Sequence, residues 1–359
     1  MKIEESKTKK KPSLLTLILC QLLLTGLVLC VFAAFHHVIP RWLQSRNGMP
    51  QPIATVEQPT EPSQPPEPSS MNETEDQPVE PEQTEEPEVE DEVPLSWRER
   101  FAEHFSETET WTENSYSSPN LSVTVTEYKH TEDHPEVIYY VADIYIAEIE
   151  SFLVGFPENS TFDAAETIAA SYDAVVAVNG DGMLVQGGGF LIRNGEIYDE
   201  RDNGGDLCVL YSDGSMETYA SGTYTEEEIL ARQPLHCWQF GPALLDREGQ
   251  PLNEFNISWE LQDLQPRTAL GYYEPGHYCL LVADGRNPPK TKGLEMWELA
   301  ELMSDLGCQQ AYNLDGGASS MIIFHGKTIN DPPKTGLKHR NRNLNDMLIF
   351  AEPRGEEEG

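Results

Sequence analysis

From Leu14 to Phe35 the chain reads LLTLILCQLLLTGLVLCVFAAF, an apolar run with no charge. At ~1.5 Å per residue, roughly twenty such residues cross a hydrocarbon core as a helix. Lys2, Lys7, Lys9, Lys10 and Lys11 precede the run, and only Arg41 and Arg46 follow closely. This bias predicts a basic cytoplasmic tail over 1–13, a membrane anchor over 14–36 and an extracellular location for everything beyond. A cleaved signal peptide ending at Val31-Phe32-Ala33 is the competing reading. The run exceeds the ~7–15 apolar residues usual in such peptides, so the anchor is preferred. Hydrophobic patterning then stops. From Asn47 to Trp97 there is no Lys or Arg, and Pro, Glu, Gln, Ser and Thr dominate. Residues 37–94 are expected to form a disordered, self-repelling linker, able at ~3.1 Å per residue to hold a domain up to roughly 150 Å from the bilayer.

Periodicity returns near Leu95. Trp97, Phe101 and Phe105 recur every four residues, predicting a short amphipathic helix. Leu121, Val123 and Val125 alternate with polar residues, and Val137 to Ile149 is β-branched and aromatic, so two strands follow. Ser160 and Asp163 stand in capping-box spacing before AAETIAAS, predicting a helix to Ser171, after which AVVAV (Ala174 to Val178) reads as a buried strand. Asn194-Gly195 and Ser212-Asp213-Gly214 predict hairpin turns, and Thr225 with Glu228 a second capping box. Arg267 to Tyr272 and Tyr278 to Ala283 read as strands. The clearest helix runs from Leu294 to Leu306, closed by Gly307 and followed directly by the strand AYNL (Ala311 to Leu314). A strand, helix, strand order implies a parallel crossover. The expected fold is α/β to α+β: one domain over 95–352, with a mixed β-sheet flanked by helices, and an acidic tail at 353–359.

Charge narrows the function. Against 61 Asp and Glu there are 24 Lys and Arg, a net charge of -37, which excludes a basic nucleic-acid footprint. Cys20 and Cys30 lie in the anchor, whereas Cys208, Cys237, Cys279 and Cys308 lie in the domain without CxxC spacing. Three disulfide pairings, or buried free thiols, are open for those four.

Three apolar strands end in one kind of loop: AVVAV at Asn179-Gly180-Asp181, LLVA at Asp284-Gly285-Arg286 and AYNL at Asp315-Gly316-Gly317. Ligands sit outside the carboxyl ends of such strands, where glycine permits close backbone approach and Asp supplies an acid, a base or a metal ligand. AVNGD, FGPALL, PRTALG, VADGR, the ELAELMSDLGCQQAYNLDGGASS run and the closing RNLNDMLIF resemble the phosphodiester glycosidase family from about Leu121 to Ala351. The resemblance implies cleavage of sugar-1-phosphodiester bonds. It places the family's positions on Asn179, Gly180, Arg267, Asp284, Gly285, Arg286, Asn313, Asp315, Gly316 and Gly317, with Arg342 a weaker match. Two departures stand out: Ala318 where a third glycine is usual, and Gly182-Met183 where an aromatic pair is usual.

The chemistry asks for the same residue types. A phosphodiester is an anion, and guanidinium groups bind its oxygens in a bidentate fork, which nominates Arg267 and Arg286. Oxocarbenium character at the anomeric carbon is met by a carboxylate, which nominates Asp315 and Asp284 as catalytic. Asn179 and Asn313 would bond sugar hydroxyls. Asp181, Asp284 and Asp315 together could hold a divalent cation, calcium or magnesium. GASSM lacks the second glycine of a nucleophile elbow, and QGGGF lacks GxGxxG spacing, so serine-hydrolase and dinucleotide chemistry are set aside. The expected partner is a sugar phosphodiester or cell-wall glycopolymer. A non-catalytic wall-polysaccharide-binding domain and a glycosidase acting on phosphate-free polysaccharide remain the alternatives.

Overall fold

The computed structural model describes residues 49–56, 95–133, 136–182, 189–335 and 341–354, together with residues 21 and 25. Apart from those two positions the apolar run 14–36 lies outside the described residues, as do residues 57–94 of the expected linker. Among the described residues no helix is long and apolar enough to cross a membrane.

The strands are, in chain order, β1 (Ala54–Thr55), β2 (Thr110–Trp111), β3 (Ser115–Ser117), β4 (Leu121–Lys129), β5 (Ile138–Ile146), β6 (Phe152–Gly155), β7 (Val176–Asn179), β8 (Gly189–Arg193) and β9 (Glu196–Arg201). They continue with β10 (Leu207–Tyr211), β11 (Met216–Tyr219), β12 (Pro234–Trp238), β13 (Arg267–Glu274), β14 (His277–Ala283), β15 (Gln310–Asn313), β16 (Ile322–Phe324), β17 (Lys327–Thr328) and β18 (Met347–Phe350). The α-helices among the described residues of the domain are α1 (Trp97–Arg100), α2 (Ala165–Ser171), α3 (Glu226–Leu230), α4 (Trp259–Gln262) and α5 (Met296–Asp305). The domain is sheet-dominated. Its strands form three sheets, ordered β15-β13-β14-β5-β4-β3-β2, β17-β16-β7-β18-β6 and β1-β9-β8-β12-β10-β11.

Side-chain parity explains how the sheets assemble. Along β5 and β14, Tyr140, Ala142, Ile144, Tyr278, Leu280 and Val282 enter a central core, where they meet Val176, Val178, Phe350, Leu210 and Trp238 of the other two sheets. Their neighbours Tyr139, Val141, Cys279, Leu281 and Ala283 turn to the opposite face, covered by Leu299, Ala300 and Met303 of α5. Strands buried on both faces read as continuous apolar runs, which is why these two were visible in the sequence. On its outer face the five-stranded sheet carries Ile168 and Ala169 of α2, and the six-stranded sheet carries Ile229 of α3.

Most predicted elements stand where expected, with instructive differences. The Thr225–Glu228 capping box forms, and Asn194 and Gly195 take φ of 52° and 76° in the β8–β9 turn. Ser160 and Asp163 do not cap α2: Ser160 Oγ donates to the Phe162 carbonyl, Asp163 Oδ1 accepts from Ala164 N, and the helix begins at Ala165 without a side-chain cap. The helix expected over Leu294 to Leu306 runs from Met296 to Asp305 as α5, burying Met296, Leu299, Ala300, Leu302 and Met303 and leaving Trp297 45% exposed. The β14–α5–β15 crossover does bring back a strand of the same direction, but it passes over β13, which lies antiparallel between the two. The hydrogen-bonded neighbours are thus antiparallel, and one expected sheet is three. The expected linker is also not without structure: Ala54 and Thr55 pair with Ile197 and Glu196 of β9, and Val56 N donates to the Gly195 carbonyl. This stretch, MPQPIATV, is uncharged and partly β-branched, and it satisfies backbone groups that β9 would otherwise expose at a sheet edge.

Candidate active site

The start of β13 and the ends of β14 and β15 share one rim, since Arg267 pairs with Ala283 and Ala269 with Asn313. The end of β7 is tied to the same rim, because Asn179 Nδ2 donates to the Asp315 carbonyl at 2.7 Å and Asp315 N donates to the Gly180 carbonyl at 3.3 Å. The three loops picked out in the sequence therefore gather. Beside them opens a pocket of about 320 Å³ lined by Arg267, Arg286, Arg342, Asn313, Asp315, Gly316 and Gly317, with Gln265, Phe240, Gly241, Ile257, Leu261 and Met296.

Asp315 contributes the one carboxylate among the described lining residues. Burial pushes its carboxyl above the usual range, and the Asp181 charge adds to the rise. The Ser319 hydroxyl, the Arg342 charge and the Gly316 N–H pull the other way. Arg286 lines the same pocket. Its Nε donates to Gln265 Oε1 at 2.6 Å, and its terminal nitrogens lie over Gly317, 3.1–3.2 Å from where a Cβ would stand. Gly317 is at φ +65, and a Cβ on Gly316 would come within 2.8 Å of the Pro266 carbonyl, so any side chain at either position would displace the wall that holds Asp315. Asn313 Nδ2 donates to the Gly241 carbonyl at 3.0 Å, while its buried Oδ1 has no hydrogen-bond partner among the described residues.

Arg267 lines the pocket but is largely spoken for. Nε, Nη1 and Nη2 donate to the carbonyls of Leu294, Leu261 and Asp263, and burial, followed by the Arg286 charge, pulls its guanidinium down to about 10. It holds the pocket wall formed by Ile257 and Leu261 as much as it supplies charge.

Five predicted residues stand outside the lining, among them Gly285, where a Cβ would come within 2.8 Å of Gly293 and Pro266. Asn179 is a buried strut: its Oδ1 accepts from Thr268 Oγ1 and Met321 N, leaving nothing for a sugar. Gly180 lies against the Asp346 carboxyl, 2.3 Å from a hypothetical Cβ. Asp181 is fully buried and paired at 2.8 Å with Arg193, equally buried. Asp284 accepts from Asn330 Nδ2 at 2.9 Å and from Asp331 N at 3.1 Å, and burial pushes its carboxyl up. It organises the 330–331 segment instead of facing the pocket. Asp181, Asp284 and Asp315 consequently do not converge, and among the described residues no group of three or more His, Cys, Asp or Glu could hold a metal ion. Met183, part of the departure noted in the NGD loop, lies outside the described residues.

Arg193 and Asp346 escaped sequence reasoning. Arg193 Nη1 also donates to the Ile192 and Cys237 carbonyls, and Asp346 Oδ1 accepts from Gly182 N at 3.0 Å. Together they fix the NGD loop that backs Asp315. Burial, and next the neighbouring Asp181 carboxylate, push Asp346 well above the usual carboxylate range, so its protonated form is favoured beside that charge. The only sequence signal was an Asp directly before the apolar strand MLIF.

The phosphodiester glycosidase family model matches residues 172–351, half of the chain, and the chain belongs to that family. Over 165 residues it is 28% identical to YomE, an SPbeta prophage protein of Bacillus subtilis (strain 168), covering 44% of this chain and 25% of that one. Over 200 residues it is 28% identical to the N-acetylglucosamine-1-phosphodiester alpha-N-acetylglucosaminidase of Homo sapiens, covering 48% of this chain and 38% of that one. The chain thus spans well under half the length of these curated relatives. Among solved structures, the catalytic domain of the zebrafish N-acetylglucosamine-1-phosphodiester alpha-N-acetylglucosaminidase, auto-inhibited by its pro-peptide, shares the fold. Its TM-score is 0.54 at 18% identity, over 73% of this chain and 94% of that one.

Proposed function

We propose that this protein hydrolyses sugar-1-phosphodiesters, releasing the sugar, in the pocket between Asp315 and Arg286. The observation that carries the reading is charge: among the described residues, three guanidinium groups and one carboxylate line a single pocket of a chain whose net charge is -37. Arg286 and Arg342, which line the pocket, would take the anionic oxygens of the diester, and Asn313 would bond a sugar hydroxyl. The Asp315 carboxylate stabilises the oxocarbenium ion as the anomeric carbon–oxygen bond breaks, or delivers water to it. The phosphate monoester leaves with the bonding electrons, its developing charge met by the same arginines. A leaving group of this quality has little need of a second carboxyl as general acid, in keeping with a single carboxylate in the described lining.

Arg286→Ala is expected to lower kcat/KM for a diester roughly 10–100-fold, the worth of one charge-assisted contact, chiefly through KM. Inhibition by the free sugar should change little, because the sugar lacks phosphate. An equal loss for phosphate-free glycosides would overturn the assignment of Arg286 and favour a glycosidase for phosphate-free polysaccharide.

The apolar run and its flanking lysines support an anchor over 14–36 with the domain outside the cell membrane. A cell-envelope glycopolymer or exopolysaccharide is then the substrate within reach. The full chain should stay with membranes through an alkaline carbonate wash; its release would contradict the anchor.

A further inference from the structure

Four cysteines of the domain are buried thiols, and their places in the fold are unequal. Cys208 and Cys237 sit on neighbouring strands β10 and β12, but the register pairs Cys208 with Trp238 and Val209 with Cys237. One position out of register puts them on opposite faces of the sheet, Cys208 in the central core and Cys237 in the outer cluster with Phe190 and Ile192. No bond can form through the sheet. Cys279 and Cys308 share a face. Cys279 projects from β14 toward α5, Cys308 follows the glycine that ends α5, and their sulfurs lie 3.6 Å apart. Gly271 is what makes the room: it is the cross-strand partner of Cys279, and a Cβ there would stand 2.5 Å from one sulfur and 2.7 Å from the other.

We propose that Cys279 and Cys308 form a built disulfide site that ties α5, and with it the start of β15, to the central strand β14, while Cys208 and Cys237 remain thiols. The bond closes by exchange with an oxidised dithiol. A thiolate of Cys279 or Cys308 attacks that disulfide, and the second cysteine then displaces the mixed intermediate. The sulfur–sulfur bond replaces two S–H bonds, and the two electrons leave on the reduced dithiol. Contact with Cys308, then burial, raise the Cys279 thiol well above its ordinary range, so the exchange belongs to openings of the fold that expose the pair. Closure at 3.6 Å asks for a small approach of the sulfurs rather than a rearrangement of strands.

The test is thiol mapping of the full-length chain. The reduced protein is equilibrated with oxidised and reduced glutathione at a temperature that permits opening, then quenched in acid. It is alkylated in denaturant and digested. One linked peptide pair, Cys279 with Cys308, is expected, with Cys208 and Cys237 alkylated. Thermal unfolding of the oxidised form should lie higher by on the order of 5–10 °C, since the bond closes a loop of 29 residues. That difference should vanish in Cys308→Ser. Alkylation of both Cys279 and Cys308 under oxidising conditions, or their capture by Cys208 or Cys237, would overturn the proposal. Cys308→Ala, which removes the sulfur without adding a polar atom to the core, keeps the mapping of Cys279 interpretable if the serine variant fails to fold.

Discussion

Asp315→Asn is expected to cut turnover of a sugar-1-phosphodiester by roughly 10²–10⁴-fold while leaving the protein at least as stable as the parent at neutral pH. The two halves have one cause. Burial raises the Asp315 carboxyl in the folded state, so the folded protein holds its proton more tightly than the unfolded chain does. Below the unfolded value, ~3.9, the group costs nothing, and the cost grows as pH rises from there through the folded value. An amide of the same shape avoids it. The ionised form is the one that assists the anomeric carbon, so activity should rise with pH along a limb displaced above ~3.9. Removing the Arg342 charge, as in Arg342→Gln, should move that limb further up, because Arg342 is one of the groups holding it down. Parallel kinetics and thermal unfolding across pH check both. Loss of activity together with a large loss of stability would instead make Asp315 a structural carboxylate.

Arg193→Met should produce the largest loss of stability, about 3–5 kcal/mol, measured as a lower denaturant midpoint. Arg193 and Asp181 are both fully inaccessible, and removing the guanidinium strands the Asp181 carboxylate in the interior without its cation. Asp181→Asn in the same chain should recover part of the loss, since the stranded charge is then gone. The NGD loop rests on this cluster through Gly180 and Gly182, so activity should fall with it. Independent, additive effects of the two substitutions would contradict the pairing.

What the sequence could carry was local. NLDGG reveals a strand end, a carboxylate and two obligatory glycines within five residues, and all of them do border the pocket. Asp284-Gly285-Arg286 has the same form, yet only Arg286 reaches the pocket: both residues lie beyond the end of β14, where strand alternation no longer applies, and Asp284 turns inward to Asn330 while Arg286 stands in a left-handed turn at φ 57°. The other walls come from far along the chain: Phe240, Ile257, Leu261 and Met296 read as ordinary core or loop residues until the sheets bring them together. Arg193 looked like the polar end of a hairpin strand, and its burial follows from an Asp twelve residues earlier. The β14–α5–β15 crossover was legible as strand, helix and strand, but the strand it passes over depends on long-range pairing. Ala54–Thr55 docked on β9 for the same reason: the composition of the flanking Pro- and Glu-rich segments hid an uncharged segment that only a sheet edge makes useful.

The central claim is that the bond broken lies between the anomeric carbon and the phosphate oxygen. Hydrolysis of a defined sugar-1-phosphodiester in water enriched in heavy oxygen tests it directly, by mass analysis of the phosphate monoester released. The account predicts an unlabelled phosphate monoester, formed with the parent protein and lost with Asp315→Asn. Heavy oxygen in the phosphate would show attack at phosphorus, and no turnover of any diester, with sugar or wall polymer still bound, would make the pocket a binding site.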